Sequence, residues 1–100
     1  DLKGIVWYNN FKIGLEKITD IKNKYIKYGI EINTERRTSY STTIYFENGD
    51  IWMIVPAKEN SKGYSCNVSY IERDIPKDII ECVIKPCTKA FPYQAYNYYS

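Results

Sequence analysis

Apolar and polar positions change period several times along the chain, and each change marks an element. Ile5-Val6-Trp7-Tyr8 is wholly apolar and β-rich, the pattern of a strand covered on both faces, which predicts a central place in a sheet. Phe11, Leu15, Ile18, Ile21, Tyr25 and Tyr28 then recur at three- and four-residue steps and form one helical stripe. Asn9 or Asn10 suits the N-cap, and Gly29 suits the position just past the C-terminus. The lysines at 12, 17, 22, 24 and 27 mostly occupy the complementary face and read as a solvated surface. Residues 29–37 alternate, with Ile30 and Ile32 opposed to Glu31 and Asn33, and predict a half-buried strand ending in Arg36-Arg37.

Two β-rich runs, residues 42–47 and 50–55, flank Asn48-Gly49. Asn-Gly in that position predicts a two-residue hairpin turn with positive φ at both central residues. Counting outward pairs Glu47 with Asp50, Phe46 with Ile51, Tyr45 with Trp52 and Ile44 with Met53. Ile44, Phe46, Ile51, Met53 and Val55 then share the core face, while Thr43, Tyr45 and Trp52 share the other. Pro56 ends the hairpin, 58–63 is a polar loop, and 66–71 returns to β character. Asp74 before Ile75-Pro76 predicts the start of a shorter helix with Ile79, Ile80, Val83 and Ile84 inward and Pro86 at its close. The tail, 86–100, holds Phe91, Tyr93, Tyr96, Tyr98 and Tyr99 with few aliphatic neighbours, so it is expected to dock on its own domain or on a second subunit.

Length and composition narrow the class. One hundred residues, 44% of them hydrophobic, suffice for one domain with a modest stability margin, for which a homo-oligomer offers support. The expectation is a single α/β (α+β) domain over 1–100: a mixed sheet with a central hairpin, one long helix, a second shorter helix and the aromatic tail. The longest apolar run, 51–55, is far too short to span a bilayer, and no signal-peptide pattern opens the chain. The chain accordingly reads as cytoplasmic, in a host cell if it comes from a phage. Cys66, Cys82 and Cys87 match no zinc spacing and read as core or inert thiols, so no metal or cofactor is expected. The sequence contains no histidine, which removes the usual general base and every His-based triad. A formal charge of +2 does not favour nucleic acid as a partner.

The segment from Thr43-Ile44-Tyr45-Phe46-Glu47-Asn48-Gly49-Asp50-Ile51, through Lys62-Gly63, Asn67 and Tyr70-Ile71-Glu72, to Ile79-Ile80 and Pro86 carries a family likeness. In order and spacing it resembles the ATPase segment of phage terminase large subunits, between the phosphate-binding loop and the region past the second acidic motif. The resemblance covers about residues 5–86. The element order itself, a strand, a crossover-length helix, a hairpin and a further strand, suggests a mixed sheet with the first and last strands parallel, an order similar to nucleotide-handling folds. The resemblance leaves Glu72 able to face a metal. Two departures count against ATP hydrolysis by this chain: no G-x-x-x-x-G-K-[ST] occurs, and Arg73 follows Glu72 where the family has an acidic pair.

Arg36, Arg37 and Arg73 are the only arginines, and guanidinium groups grip phosphate through paired hydrogen bonds. Surface ion pairs with Glu31, Glu35, Glu72 or Asp74 are the alternative use of them. Tyr45 and Trp52 are candidates for stacking on a base, and Asn67 and Tyr70 for polar contacts. Together these residues suggest a non-enzymatic phage-type protein that sequesters a nucleotide-derived anion, of cyclic ADP-ribose or cyclic oligonucleotide type. In size and phage kinship such a protein is similar to the Thoeris anti-defence signal sponges. A protein–protein inhibitor of a host defence complex and a fragment of a DNA-packaging ATPase are the alternatives.

Overall fold

A computed structural model describes residues 1–38, 41–90 and 94–100. Strand β1 (Lys3–Tyr8) carries four successive buried residues, as its unbroken apolar run requires. It lies inside a six-stranded mixed sheet with β2 (Ile32–Arg37), β3 (Thr42–Phe46), β4 (Ile51–Pro56), β5 (Val68–Glu72) and β6 (Ala95–Tyr99), in the order β2-β3-β4-β1-β5-β6. β1 is parallel to both β4 and β5, and β6 is parallel to β5, whereas β2, β3 and β4 form an antiparallel meander. This is the α/β class expected, with the first predicted strand and the strand at 66–71 side by side and parallel.

Helix α1 (Phe11–Lys27) covers one face of the sheet. Its cap is Asn10, whose side chain accepts the N–H groups of Lys12 and Ile13 at 3.0 and 3.4 Å. At the other end Gly29 adopts φ +79°, its N–H donates to Ile26 O, and the Ile30 N–H donates to Tyr25 O. That pair of bonds satisfies carbonyls which a helix end otherwise leaves open. The buried stripe is narrower than the sequence suggests. Gly14, Ile18 and Ile21 are buried, but Phe11 and Leu15 are 56% and 46% exposed. A Cβ on Gly14 would lie 2.7 Å from Cβ of Tyr8. Having no side chain at this position lets the helix pass close to Tyr8 at the end of β1, and Phe11 and Leu15 stand outward.

The hairpin has a different register from the expected one. Ile44 faces Trp52 and Tyr45 faces Ile51, one residue out of step with the two-residue turn. Residues 47–49 form a three-residue loop in which Gly49, at φ +92°, donates to Phe46 O while Phe46 donates to Asp50 O. The two-residue turn would need positive φ at Asn48 as well, and no described residue other than glycine has positive φ. Asp50 is also held from outside the hairpin, accepting the Leu2 N–H and the Tyr25 hydroxyl at 2.9 and 2.6 Å. Because side chains alternate, the one-residue shift moves Trp52 to the face under α1. There it joins Val6, Ile44, Phe46, Ile54 and Val68 in one cluster, while Met53 and Val55 face the opposite layer.

That second layer contains Ile5, Trp7, Val55 and Ile71 beneath Ile75, Val83, Ile84 and Cys87. The covering helix, α2 (77–87), is α-helical over Lys77–Ile79, π-helical over Ile80–Ile84 and α-helical again over Lys85–Cys87. It does not close at Pro86. The wider turn lets the Lys85 N–H reach Ile80 O just before a residue that has no N–H to give, and the helix continues to Cys87. Polar groups buried in this layer satisfy one another. Trp7 Nε1 donates to Ser69 Oγ at 3.0 Å, Ser69 Oγ lies 2.7 Å from Thr88 Oγ1, and Thr88 donates to Ile84 O. Cys66 joins them at 3.3 Å from Ser69, and burial pushes its thiol pKa up, consistent with an inert role.

In the tail, residues 95–99 pair with β5 as the edge strand β6, and Tyr99 is buried with its hydroxyl donating to Trp7 O at 2.7 Å. The expected contributions of Phe91 and Tyr93 lie outside the described residues. No described helix is long and apolar enough to cross a membrane.

The register yields a direct test. A Cβ on Gly4 would sit 2.4 Å from the Trp52 ring, so β1 accommodates that ring by having no side chain there. Gly4→Ala is expected to destabilise the protein by about 2–3 kcal/mol through overpacking, read as a lower midpoint in urea. A Gly4→Ala midpoint equal to wild type would place Trp52 on the other face.

Candidate functional site

Ligands of parallel α/β sheets collect outside the carboxyl ends of the strands, where neighbouring connections leave toward opposite faces. β1 leads into α1 on one face and β5 leads into α2 on the other, so that crevice lies between β1 and β5. Glu72, the last residue of β5, fills it. The residue is 1% exposed, and its Oε1 accepts the backbone N–H groups of Asn9 and Asn10 at 2.7 and 2.8 Å. Asn10 in turn occupies the N–H groups of Lys12 and Ile13. The donors at the start of α1, which in nucleotide-binding sheets receive a phosphate, are engaged by the chain's own oxygens.

Glu72 Oε2 is buried and has no hydrogen-bond partner among the described residues. Tyr99 stands beside this carboxylate, paired across β5–β6. Burial, and secondarily the Glu72 charge, push the Tyr99 phenol pKa well above its ordinary value. The described residues contain no group of three or more His, Cys, Asp or Glu side chains able to hold a metal. One buried carboxylate oxygen is not a metal site, and no chemical step through a metal is derived for this chain.

The sequence-predicted residues do not converge. Arg37 and Arg73 both lie at the carboxyl ends of their strands, but β2 and β5 are four strand intervals apart, roughly 19 Å. Arg36 pairs with Thr43 and Arg37 with Thr42, so the two side chains project from opposite faces. Tyr45 shares the face of Thr43 and Met53, while Trp52 is 5% exposed on the other face with its Nε1 donating to Tyr25 Oη at 2.9 Å. Tyr70 packs against the Trp52 ring and lies under Lys17 Nζ. Asn67 precedes β5 at the far end of the sheet from Arg73, with its backbone bonded to Lys3 and Ala95. Arg73 donates its own N–H to Tyr99 O.

A second concavity has no counterpart among the sequence expectations. A groove of about 420 Å³ runs between α1 and the β2–β3–β4 meander, lined by Phe11, Leu15, Ile18, Ile44 and Ile54, with Arg37 among its polar residues. Lys22 and Glu35 close a 2.8 Å salt bridge within it. Its signal in the sequence is faint, because Phe11 and Leu15 read as part of a core stripe.

No protein-family model matches the chain, and no curated protein sequence matches it. Solved structures do resemble it. The large terminase of a thermophilic bacteriophage superimposes over 98% of the chain in two crystal forms, each with a TM-score of 0.66, at 12% and 13% identity. The same protein in complex with ATP-γ-S gives 0.64 at 12% identity. The chain spans about a quarter of the terminase's length, 24% to 26% in these comparisons. At such identities the likeness is one of fold alone: the chain is similar in fold to a segment of this large terminase.

The position of Glu72 implies that it fastens the β1–α1 connection. Glu72→Leu, which strands two N–H groups, is expected to destabilise the protein by about 2–4 kcal/mol. Glu72→Gln keeps an acceptor oxygen and should cost clearly less. Equal losses in chemical denaturation would show that the N–H contacts do not matter. Tyr99 adds a pH dependence. Its pKa is raised on folding, so its contribution is complete below the unfolded value near 10 and declines as the pH climbs above it. Tyr99→Phe should flatten the fall in stability above about pH 10, as measured by urea midpoints across that range.

Proposed function

We propose that these hundred residues form the sheet core of a DNA-packaging ATPase of the large-terminase kind, supplying scaffold and not the phosphate-gripping residues. The observation that carries this reading is the fold likeness to a phage large terminase over 98% of the chain, including a complex with ATP-γ-S. The order of sequence features from Thr43 to Pro86 supports it independently. In this reading the chain contributes the central parallel strands and the Glu72 tether that fixes the start of α1. Phosphate binding comes from elsewhere in the protein, because this chain has no phosphate loop and a carboxylate stands where a phosphate would be received.

Capture of a small nucleotide signal has weaker support. It relies on Arg36, Arg37 and Arg73 acting with Tyr45 and Trp52, and these residues are spread over two faces and both sides of the sheet.

The test compares the complete gene product with the hundred-residue chain. The gene product should hydrolyse ATP in the presence of magnesium and double-stranded DNA, and the isolated chain should neither turn over ATP nor bind it in calorimetry. A gene product without DNA-stimulated turnover would overturn the packaging reading. Tight binding of cyclic ADP-ribose isomers or cyclic oligonucleotides by the isolated chain would overturn it in favour of signal capture.

A further inference from the structure

The groove beside α1 is chemically divided. One wall is apolar: Phe11 and Leu15, one helical turn apart, are held half-exposed, and Phe11 meets the Tyr8 ring edge-on with centroids 5.5 Å apart. Ile18, Ile44 and Ile54 continue that wall inward. The lining also includes Arg37 and its cross-strand partner Thr42, with Ser41 next to Thr42 in the chain. Lys22 is neutralised by Glu35, but Arg37 forms no ion pair among the described residues. The groove therefore combines one uncompensated positive charge with an apolar surface. Its volume, about 420 Å³, falls within the range of small-molecule sites, which are mostly apolar with a few polar groups fixing orientation.

We propose that this groove binds a small amphiphilic monoanion, an arenecarboxylate or a compound of like chemistry. The flat apolar body lies against Phe11 and Leu15, and the carboxylate takes paired hydrogen bonds from the Arg37 guanidinium. A single unpaired guanidinium suits one carboxylate better than a polyphosphate, and a planar ring suits a wall that includes the half-exposed Phe11 ring. The site is separate from the Glu72 crevice, and its occupancy does not depend on a packaging function.

Naphthoate is a suitable probe, with naphthalenemethanol as its uncharged analogue, titrated into the protein and followed by amide NMR. Saturable shifts are expected at residues 8–18, 35–38, 41–44 and 54, with the uncharged analogue about tenfold weaker, the loss expected of one charge-assisted pair. Arg37→Met should weaken naphthoate by a similar factor and leave naphthalenemethanol unchanged. Leu15→Asp should abolish binding of both. Both substituted side chains are exposed, and an unchanged melting temperature with a dispersed amide spectrum establishes that each variant is folded. Shifts scattered over the surface, equal affinity for the charged and uncharged probes, or an unaffected Arg37→Met would each overturn the proposal. So would a structure of the complete gene product in which another stretch of polypeptide fills the groove.

Discussion

Strand β1 is bonded to a parallel partner on each side, and parallel neighbours cannot be joined by a tight turn. Each such pair needs a crossover that travels the length of the sheet and returns. α1 and the β2–β3–β4 meander make that journey on one side of β1, and the loop after β4 delivers β5 to the other. A strand flanked in this way has no edge and no free face, so its residues must be apolar and its glycine must fit its neighbours. Gly4 under the Trp52 ring and Gly14 against Tyr8 are local answers to that crowding. The same constraint brings the end of β5 beside the start of α1, where Glu72 can bond Asn9 and Asn10.

Elements with a strong period are legible from the sequence, and their relations in space are less so. The unbroken run at Ile5 to Tyr8, the Asn10 cap and Gly29 at the helix end all rest on backbone chemistry local to a few residues, and the structure agrees with them. The hairpin is legible only through its turn dipeptide. Its register is set by a three-residue loop whose Asp50 is held by Leu2 and Tyr25, residues distant in sequence. A one-residue error in a strand exchanges its faces, which is why counting from the turn puts Trp52 on a ligand surface when it belongs under α1. β6 escapes sequence reading for a related reason: an aromatic tail without aliphatic alternation gives no period, and its pairing is supplied by β5.

The candidate sites divide along the same line. Arginines invite a ligand reading by type, but adjacency in the chain puts Arg36 and Arg37 on opposite faces of a strand. Glu72 stands out in the sequence as a carboxylate, yet its partners are two backbone N–H groups, which no residue pattern announces. The groove beside α1 depends on how far the helix rotates about its axis. The absence of a side chain at Gly14 permits its close approach to Tyr8, a relation between an element and its neighbour that periodicity cannot express.

Trp7 and Trp52 lie on opposite faces of the sheet, each buried and each with its indole N–H donated to a hydroxyl, of Ser69 and Tyr25 respectively. The two tryptophans of the chain therefore form a pair of optical reporters, one for the layer beneath α2 and one for the layer beneath α1. Fluorescence from single-tryptophan variants distinguishes melting of one layer from melting of the other. The molecule carries its own means of showing whether its two cores dissolve together or in sequence.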